Sequence, residues 1–408
     1  GKRSFNINYI DFENPVNNVF HAIEEFSVET EIGQSTARPD IVLFVNGIPF
    51  AVIECKKASI STQQGISQMI RNQGQDYIPN LFKFIQIVMS TNKNETKYAT
   101  VGTPLKFWSI WKEDQSTEGY TWFHNELEKV VNDRIPTIQD KNIVSIFHPQ
   151  RAVELIHYFI LFDRNAKKIA RYQQFFAIKE ILKIVKEEDK NGNRQSGVIW
   201  HTQGSGKSLT MVMFAKYLLH DLSSVHPQLV IVTDRIELDS QIHKTFNHSR
   251  LKAARATSGK NLVDLIQDNK ADIITTLVHK FDTASKNQEP VKNKNVFVLV
   301  DESHRTQYGE LHIKMKQVFP NACYLGFTGT PLMKKDKSTM RKFGRMIHKY
   351  TIKDGVNDGT IVPLLYEGRY VEQTVNRAAI DKRIEMITRN LNEKQVVNGK
   401  RQRNKTRS

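Results

Sequence analysis

The chain has 408 residues, of which 39% are hydrophobic and 25% charged, so it reads as two or three globular domains and not as a disordered or fibrous chain. Its net charge of +16 points to a polyanionic partner, nucleic acid first among them. No apolar run approaches the roughly 20 residues of a membrane helix, and two cysteines, Cys55 and Cys323, both in apolar strand-like runs, argue against a disulfide framework and for a reducing, cytoplasmic setting.

Residues 1–150 mix short strand-like and helix-like runs and form the first expected domain. Ile41–Val45 and Phe50–Glu54 are strand-like and flank Asn46-Gly47, a strong hairpin signal. With a three-residue turn over 46–48, the strands pair so that Asp40 faces Glu54. Side-chain alternation then places Glu54 and Lys56 on one face and Cys55 on the other. Two close carboxylates repel unless a cation sits between them, and Mg²⁺ suits hard oxygen ligands. Such an ion would polarise a scissile phosphate and acidify a bound water, with Lys56 positioning that water or stabilising transition-state charge. A hairpin with a merely solvated charged end competes with this reading, because Asp and Glu-x-Lys are common residues. Further on, Leu81–Met89 reads as a strand. Trp108, Trp111, Trp122 and Phe123 read as local core more readily than as a base-stacking platform.

Residues 151–365 form the second expected domain. Arg151–Glu188 is helical in pattern and 189–196 is a polar loop. Short β-branched runs follow at Val198–Trp200, Leu229–Thr233, Asp272–Thr276, Val296–Val300 and Tyr324–Phe327, most of them separated by helix-like stretches. That alternation predicts a parallel sheet with helices on both faces. Residues 366–408 read as a restart of the pattern, or a flexible tail, ending in a basic run.

The centre of the second domain is Trp200-His201-Thr202-Gln203-Gly204-Ser205-Gly206-Lys207-Ser208. Strand, glycine-rich turn, Lys-Ser, helix is the layout of a phosphate-binding loop. Backbone N–H groups of Gln203, Gly204, Ser205 and Gly206 would cradle phosphate oxygens at a helix N-terminus. Lys207 would reach the terminal phosphates of ATP and Ser208 would hold Mg²⁺. The consensus places a glycine where His201 stands. Val296–Val300 runs into Asp301-Glu302-Ser303-His304, two acids at a buried strand end. Asp301 would position the Mg²⁺, directly or through water, and Glu302 would activate the attacking water. His304 would lie near the γ-phosphate. Thr328-Gly329-Thr330-Pro331 follows the next strand, and its hydroxyls would bridge this site to a DNA contact.

In this order, these elements resemble motifs I, II and III of superfamily 2 helicases and translocases. Val232-Thr233-Asp234-Arg235 with Leu238 and Gln241 looks like motif Ia, and Thr275-Thr276 with His279-Lys280-Phe281 like the next strand-end motif. The resemblance implies that both, Arg235 included, touch the DNA backbone. Arg171–Ala177 resembles the upstream glutamine motif, with Gln174 the better candidate for the adenine edge and Gln173 the runner-up. The family also needs a second motor domain that supplies an arginine to the γ-phosphate, and this chain shows no recognisable motif of it.

The Pro39-Asp40…Glu54-x-Lys56 pattern resembles a PD-(D/E)xK nuclease core. Placed ahead of a superfamily 2 motor, it resembles the R (restriction) subunit of type I restriction-modification enzymes. The implied fold class is α/β: a nuclease-like α/β domain, then a RecA-like parallel-sheet P-loop domain. Many members carry Gln-x-x-x-Tyr on the helix after the nuclease lysine. Here Gln68 is favoured, with Gln73 and Tyr77 fitting in a shifted register and Arg71 as a phosphate contact. The resemblance implies ATP-driven translocation of double-stranded DNA and Mg²⁺-dependent, sequence-nonspecific cleavage, in complex with methylation (M) and specificity (S) subunits and away from membranes. It also implies that the chain is part of a longer protein. The alternatives are a superfamily 2 motor whose first domain only grips DNA, and a scaffold with a decayed ATP loop.

Overall fold

The computed structural model describes residues 8–33, 35–117, 119–301, 308–329, 343–363 and 377–388. The chain divides into two compact units, Gly1–Val362 and Pro363–Ser408.

Two sheets dominate the first unit. The N-terminal sheet contains β1 (Phe20–Glu24), β4 (Ile41–Val45), β5 (Ile48–Cys55), β6 (Ile87–Thr91) and β7 (Thr96–Ala99), in the order β1-β4-β5-β6-β7. A small ribbon, β2 (Val28–Glu29) with β3 (Thr36–Ala37), leads into it. Only β5 and β6 pair in parallel, and their crossover carries α1 (Thr62–Asn72) and α2 (Pro79–Phe82). Side chains alternate as a two-sided sheet requires. Val42, Phe44, Val52 and Val88 face α1 together with Ile66 and Met69, whereas Val45, Ala51, Ile53, Ile87 and Met89 face the rest of the body.

The run Leu81–Met89 is not one strand. Pro79 opens a helical turn that holds Leu81 and Phe82, and the strand begins only at Ile87. Proline at the first helical position lacks only an N–H that would be unpaired there anyway.

Helices α3 (Gly119–Val131), α4 (Ile138–Phe147) and α5 (Pro149–Tyr158) follow. The stretch Arg151–Glu188, helical in pattern, is broken by a hairpin of β8 (Ile160–Asp163) and β9 (Ala166–Ile169) before α6 (Tyr172–Lys186). Its turn is Arg164-Asn165, both at positive φ, and Asn is among the residues that accept that conformation.

The second sheet holds seven parallel strands: β10 (Gly197–His201), β11 (Gln228–Thr233), β12 (Ala253–Arg255), β13 (Ile273–Leu277), β14 (Val296–Asp301), β15 (Cys323–Thr328) and β16 (Arg345–Tyr350). Their order is β12-β13-β11-β14-β15-β10-β16. Helices α7 (Lys207–Asp221), α8 (Ile236–His248), α9 (Gly259–Gln267), α10 (Lys280–Asn287) and α11 (Tyr308–Val318) alternate with the strands, and α12 (Ile352–Asn357) follows β16. Central strands buried on both faces are near-continuous apolar runs, which is why the five runs read from the sequence coincide with β10, β11, β13, β14 and β15.

One hydrophobic core joins the two sheets. It runs from Val45, Ile53, Met89 and Tyr98 through Trp111 to Phe159, Phe175, Phe176, Ile199 and Leu229. Tyr98 Oη donates to Ala170 O at 2.7 Å, and Thr100 Oγ1 donates to Lys167 O at 2.7 Å. The second unit is described over one helix, α13 (Arg377–Thr388). Among the described residues, no helix is long and apolar enough to cross a membrane.

Candidate nuclease and nucleotide sites

The hairpin turn holds two residues, Asn46 and Gly47, at φ of +49° and +80°, and not three. Positive φ at both positions is the signature of the tight turn that matches strand twist. Near the turn Val45 pairs with Ile48. A bulge between Leu43 and Phe44 then shifts the register, so that Ile41 pairs with Ile53. The bulge supplies the extra residue that the turn lacks, and Asp40 still meets the Glu54–Lys56 end of β5. Asp40 Oδ2 accepts the backbone N–H of Cys55 at 2.7 Å.

Four side chains converge there. Lys56 Nζ donates to Glu54 Oε2 at 3.2 Å and to Gln68 Oε1 at 3.1 Å, and lies 3.8 Å from Asp40 Oδ2. Glu54 is fully buried, and its second oxygen, Oε1, has no hydrogen-bond partner. Burial, reinforced by the Asp40 charge, pushes its carboxyl up to about 7, while Lys56 pulls the other way. Burial likewise pushes the Cys55 thiol up to about 11. A buried carboxylate with an unused oxygen beside a second carboxylate is a donor set that fits Mg²⁺, which commonly takes one or two carboxylates and keeps its waters. No group of three or more metal-ligating side chains exists among the described residues, so water or backbone would complete the shell.

Gln68 reaches this point because α1 lies unusually close to the sheet. A Cβ on Gly65 would fall 2.2 Å from Ser90 Oγ and 3.4 Å from Lys56 Cε. Gln73 is placed otherwise: its side chain accepts from Gly102 N at 2.7 Å and donates to Met69 O at 3.1 Å. Arg71 is exposed, with its guanidinium 5.1 Å from the centre of the Tyr77 ring.

The second site lies at the carboxyl ends of β10, β15 and β14, which are neighbours in the sheet. There Trp200 pairs with Thr328 and Asp301 with Phe327. Asp301 and Thr328 are buried. In the glycine-rich loop, Gln203 and Gly204 face solvent, Ser205 is buried with an unpartnered hydroxyl, and Ser208 is partly exposed. Lys207 is 9% exposed and its Nζ lies 3.5 Å from His201 O. A Cβ on Gly329 would come within 3.0 Å of that ammonium, so the lysine lies against the Thr328-Gly329 turn. Buried Oγ and N–H donors around a lysine suit a polyphosphate.

Gln174 braces the loop. Its Oε1 accepts Arg171 N at 2.8 Å and its Nε2 donates to Gly206 O at 3.1 Å. Gly206 has φ +90° and a Cβ there would fall 2.6 Å from Gln174 Nε2, so only glycine fits. Gln173 is buried with an unpartnered Nε2, and it lines a cleft of about 440 Å³ with Arg171, Tyr172, Lys106 and Phe107. Arg235, 61% exposed at the start of α8, lies free of the core at the same end of the sheet as the loop. Glu302, His304 and Thr330 lie outside the described residues.

Two residues that sequence reasoning passed over complete the surroundings. His201 Nε2 and His348 Nδ1 are 2.9 Å apart, and His348 Nε2 is 3.1 Å from Asp114 Oδ2. Asp114 and His348 are 234 positions apart, so no local pattern could have joined them.

The chain is similar to known proteins along most of its length. Residues 173–397 match the SWI2/SNF2 ATPase family and residues 1–107 match the type I restriction enzyme R protein N terminus. A Methanocaldococcus jannaschii protein, provisionally named as the type I restriction enzyme MjaIXP endonuclease subunit, is 33% identical over 405 residues, covering 95% of this chain and 38% of that protein. The type I restriction enzyme HindI endonuclease subunit of Haemophilus influenzae is 30% identical over 402 residues, covering 88% of this chain and 36% of its own length. A solved fragment from Vibrio vulnificus, provisionally titled an HsdR subunit of a type I restriction enzyme, superposes with a TM-score of 0.34 at 16% identity, covering 83% of this chain and 56% of that one. The match over residues 173–397 defines a SWI2/SNF2 ATPase-class domain, and the N-terminal five-stranded sheet precedes it. The chain belongs to the R-subunit family of type I restriction enzymes. It spans less than two fifths of the length of the two relatives just named.

Proposed function

We propose that the chain is the nuclease and leading motor portion of an R subunit, in which ATP-dependent translocation of double-stranded DNA is coupled to Mg²⁺-dependent, sequence-nonspecific cleavage. The observation that carries this reading is the meeting of Asp40, Glu54, Lys56 and Gln68 on a sheet that shares its core with the phosphate-loop sheet.

At the first site Asp40 and Glu54 would hold the Mg²⁺, Glu54 through its unpartnered Oε1. The ion would supply Lewis-acid polarisation of the scissile phosphate and a more acidic water. Lys56, gripped from two sides by Glu54 and Gln68, keeps its ammonium at a fixed point beside the carboxylates, where it would balance charge that grows on the phosphate. Arg71, exposed on the same helix, would contact a phosphate further along the DNA.

At the second site the backbone of Gln203 to Gly206 and Lys207 would hold the ATP phosphates. Ser208 and Asp301 would hold the nucleotide's Mg²⁺, Glu302 would orient water, His304 would face the γ-phosphate and Gln174 would serve the adenine end. Arg235, Thr328 and Thr330 would link that site to the DNA backbone. We assign residues 1–150 to the nuclease domain, 151–365 to the first motor domain and 366–408 to the start of the next part of the protein. M and S subunits would supply sequence recognition.

The test is a plasmid-cleavage assay with the family-length protein assembled with M and S subunits. Glu54→Ala or Lys56→Ala is expected to abolish cleavage while DNA-stimulated ATPase persists. Lys207→Ala is expected to abolish both. Cleavage unchanged in Glu54→Ala would reject the nuclease assignment and leave a motor whose first domain only grips DNA.

A further inference from the structure

The segment that follows the N-terminal sheet, Trp111 to Asp114, touches the second sheet's surroundings with four consecutive side chains. Trp111 packs against Phe175 and Phe176 of α6, with ring centres 5.4 and 6.0 Å away. Lys112 pairs with the buried carboxylate of Asp358. Glu113 pairs with Arg151 of α5. Asp114 accepts from His348 of β16. A loop that only connected two domains would not need a different anchor at each residue.

The last anchor leads to the phosphate-binding loop. A carboxylate only accepts, so His348 Nε2 carries the hydrogen and donates to Asp114. Its other ring nitrogen, Nδ1, meets His201 Nε2 at 2.9 Å, one hydrogen lying between them. His201 Nδ1 is buried without a partner, so the contact with His348 Nδ1 is the hydrogen bond that holds the His201 ring. His201 is itself fully buried, and burial, with His348 and Lys207 nearby, holds its imidazole well below the ordinary range, so the ring is neutral. Burial pushes the Asp114 carboxyl up, but hydrogen bonds from His348 and Ser116 outweigh it and hold it at about 2, so the acceptor stays charged. Each link therefore fixes the orientation of the next ring.

We propose that Asp114 is a positioning residue for the ATP loop: through His348 it orients His201, whose carbonyl forms part of the resting place of the Lys207 ammonium. The N-terminal part of the chain thereby sets the loop that opens at Thr202. A second arm runs in parallel. Lys112 holds Asp358, which accepts from Tyr350 Oη at 2.9 Å, and Tyr350 O accepts the N–H of Thr202 at 2.9 Å. His201 stands where the phosphate-loop consensus has glycine, and a side chain at that place gives the neighbouring part of the chain a lever on the loop. The proposal rests on the reading of Gln203 to Ser208 as an ATP site.

The test uses the family-length protein and a fluorescent ATP analogue with Mg²⁺, read as Kd, beside thermal melting. Asp114→Ala removes the acceptor, Asp114→Asn keeps a neutral one, and Thr100→Val breaks a different contact that follows the N-terminal sheet, the bond to Lys167 O in the β8–β9 hairpin. A charge-assisted hydrogen bond lost at this distance from the ligand is expected to weaken binding about tenfold in Asp114→Ala. Asp114→Asn is expected to recover most of that loss, and Thr100→Val to lower the melting temperature with nucleotide affinity within about twofold of the wild type. Equal affinities for Asp114→Ala and the wild type, or equal losses for Asp114→Ala and Asp114→Asn, would overturn the positioning role alone. A wild-type protein that binds no nucleotide overturns it together with the ATP assignment.

Discussion

Gln68 Oε1 accepts a hydrogen bond from Lys56 Nζ at 3.1 Å, and this bond ties α1 to the charged end of the hairpin. The residue five positions further along the chain, Gln73, makes two backbone hydrogen bonds away from that site. The two glutamines therefore predict different losses. Gln68→Ala should cut DNA cleavage by the assembled enzyme roughly tenfold or more, the low end of what a misplaced catalytic side chain costs, with ATPase unchanged. Gln73→Ala should leave cleavage intact and lower stability by about 1–2 kcal/mol, measured by urea unfolding.

Glu54 should make the metal-free protein pH-sensitive. Its carboxyl is raised by burial from 4.5 to about 7. The protonated form is therefore the one that folding favours. That contribution is complete below about 4.5 and is lost as pH rises through about 7. It amounts to roughly 3 kcal/mol at most. Melting in EDTA across this range should show the wild type losing stability relative to Glu54→Gln, and on the proposed metal site excess Mg²⁺ should reverse the loss above about pH 7, where the carboxylate would bind the ion.

Gly65 is the described glycine of the N-terminal sheet region where an added methyl group would meet the closest neighbour. Its Cβ would meet Ser90 Oγ at 2.2 Å and Ser90 Cβ at 3.2 Å. Gly65→Ala must push α1 outward, at a cost of about 1–3 kcal/mol by overpacking. The same shift carries Gln68 off Lys56. Cleavage should fall as in Gln68→Ala, with nucleotide binding unchanged in the fluorescence assay.

The ion pair Glu113–Arg151 has 5% and 7% of its side chains exposed, and the guanidinium lies 4.5 Å from the centre of the Trp122 ring. Glu113→Ala leaves a buried cation unpaired and should cost about 3–5 kcal/mol in chemical denaturation. Glu113→Leu combined with Arg151→Met should recover most of that, because neither charge is then buried alone.

What was legible in the sequence was what is local or periodic. Val198–Trp200 and Val296–Val300 announced buried parallel strands because such strands carry apolar residues on both faces. Asn46-Gly47 announced the hairpin, and Asp40 came to Glu54 although the turn was read one residue too long, because the bulge at Leu43/Phe44 makes up the difference. The hairpin Ile160–Ile169 was hidden inside a helical pattern because its strands are only four residues each, too short to show a period of two against the helices on either side. Trp108, Trp111 and Phe123 are buried as expected of core residues, but they belong to three separate clusters, a distinction made by tertiary packing. Gln68 and Gln73 could not be separated by spacing, since the choice depends on which turn of α1 lies over Lys56.

The apolar interior that runs unbroken from Met89 through Trp111 to Phe176 and Ile199 has a consequence for heredity as well as for folding. A protein whose two sheets share a wall cannot trade one of them for a stranger's by recombination in the segment between them. The crossover would set ill-matched side chains face to face. Offspring of such an exchange would inherit two intact halves and no common seat for them, so the residues on the two sides of this wall are expected to diverge together.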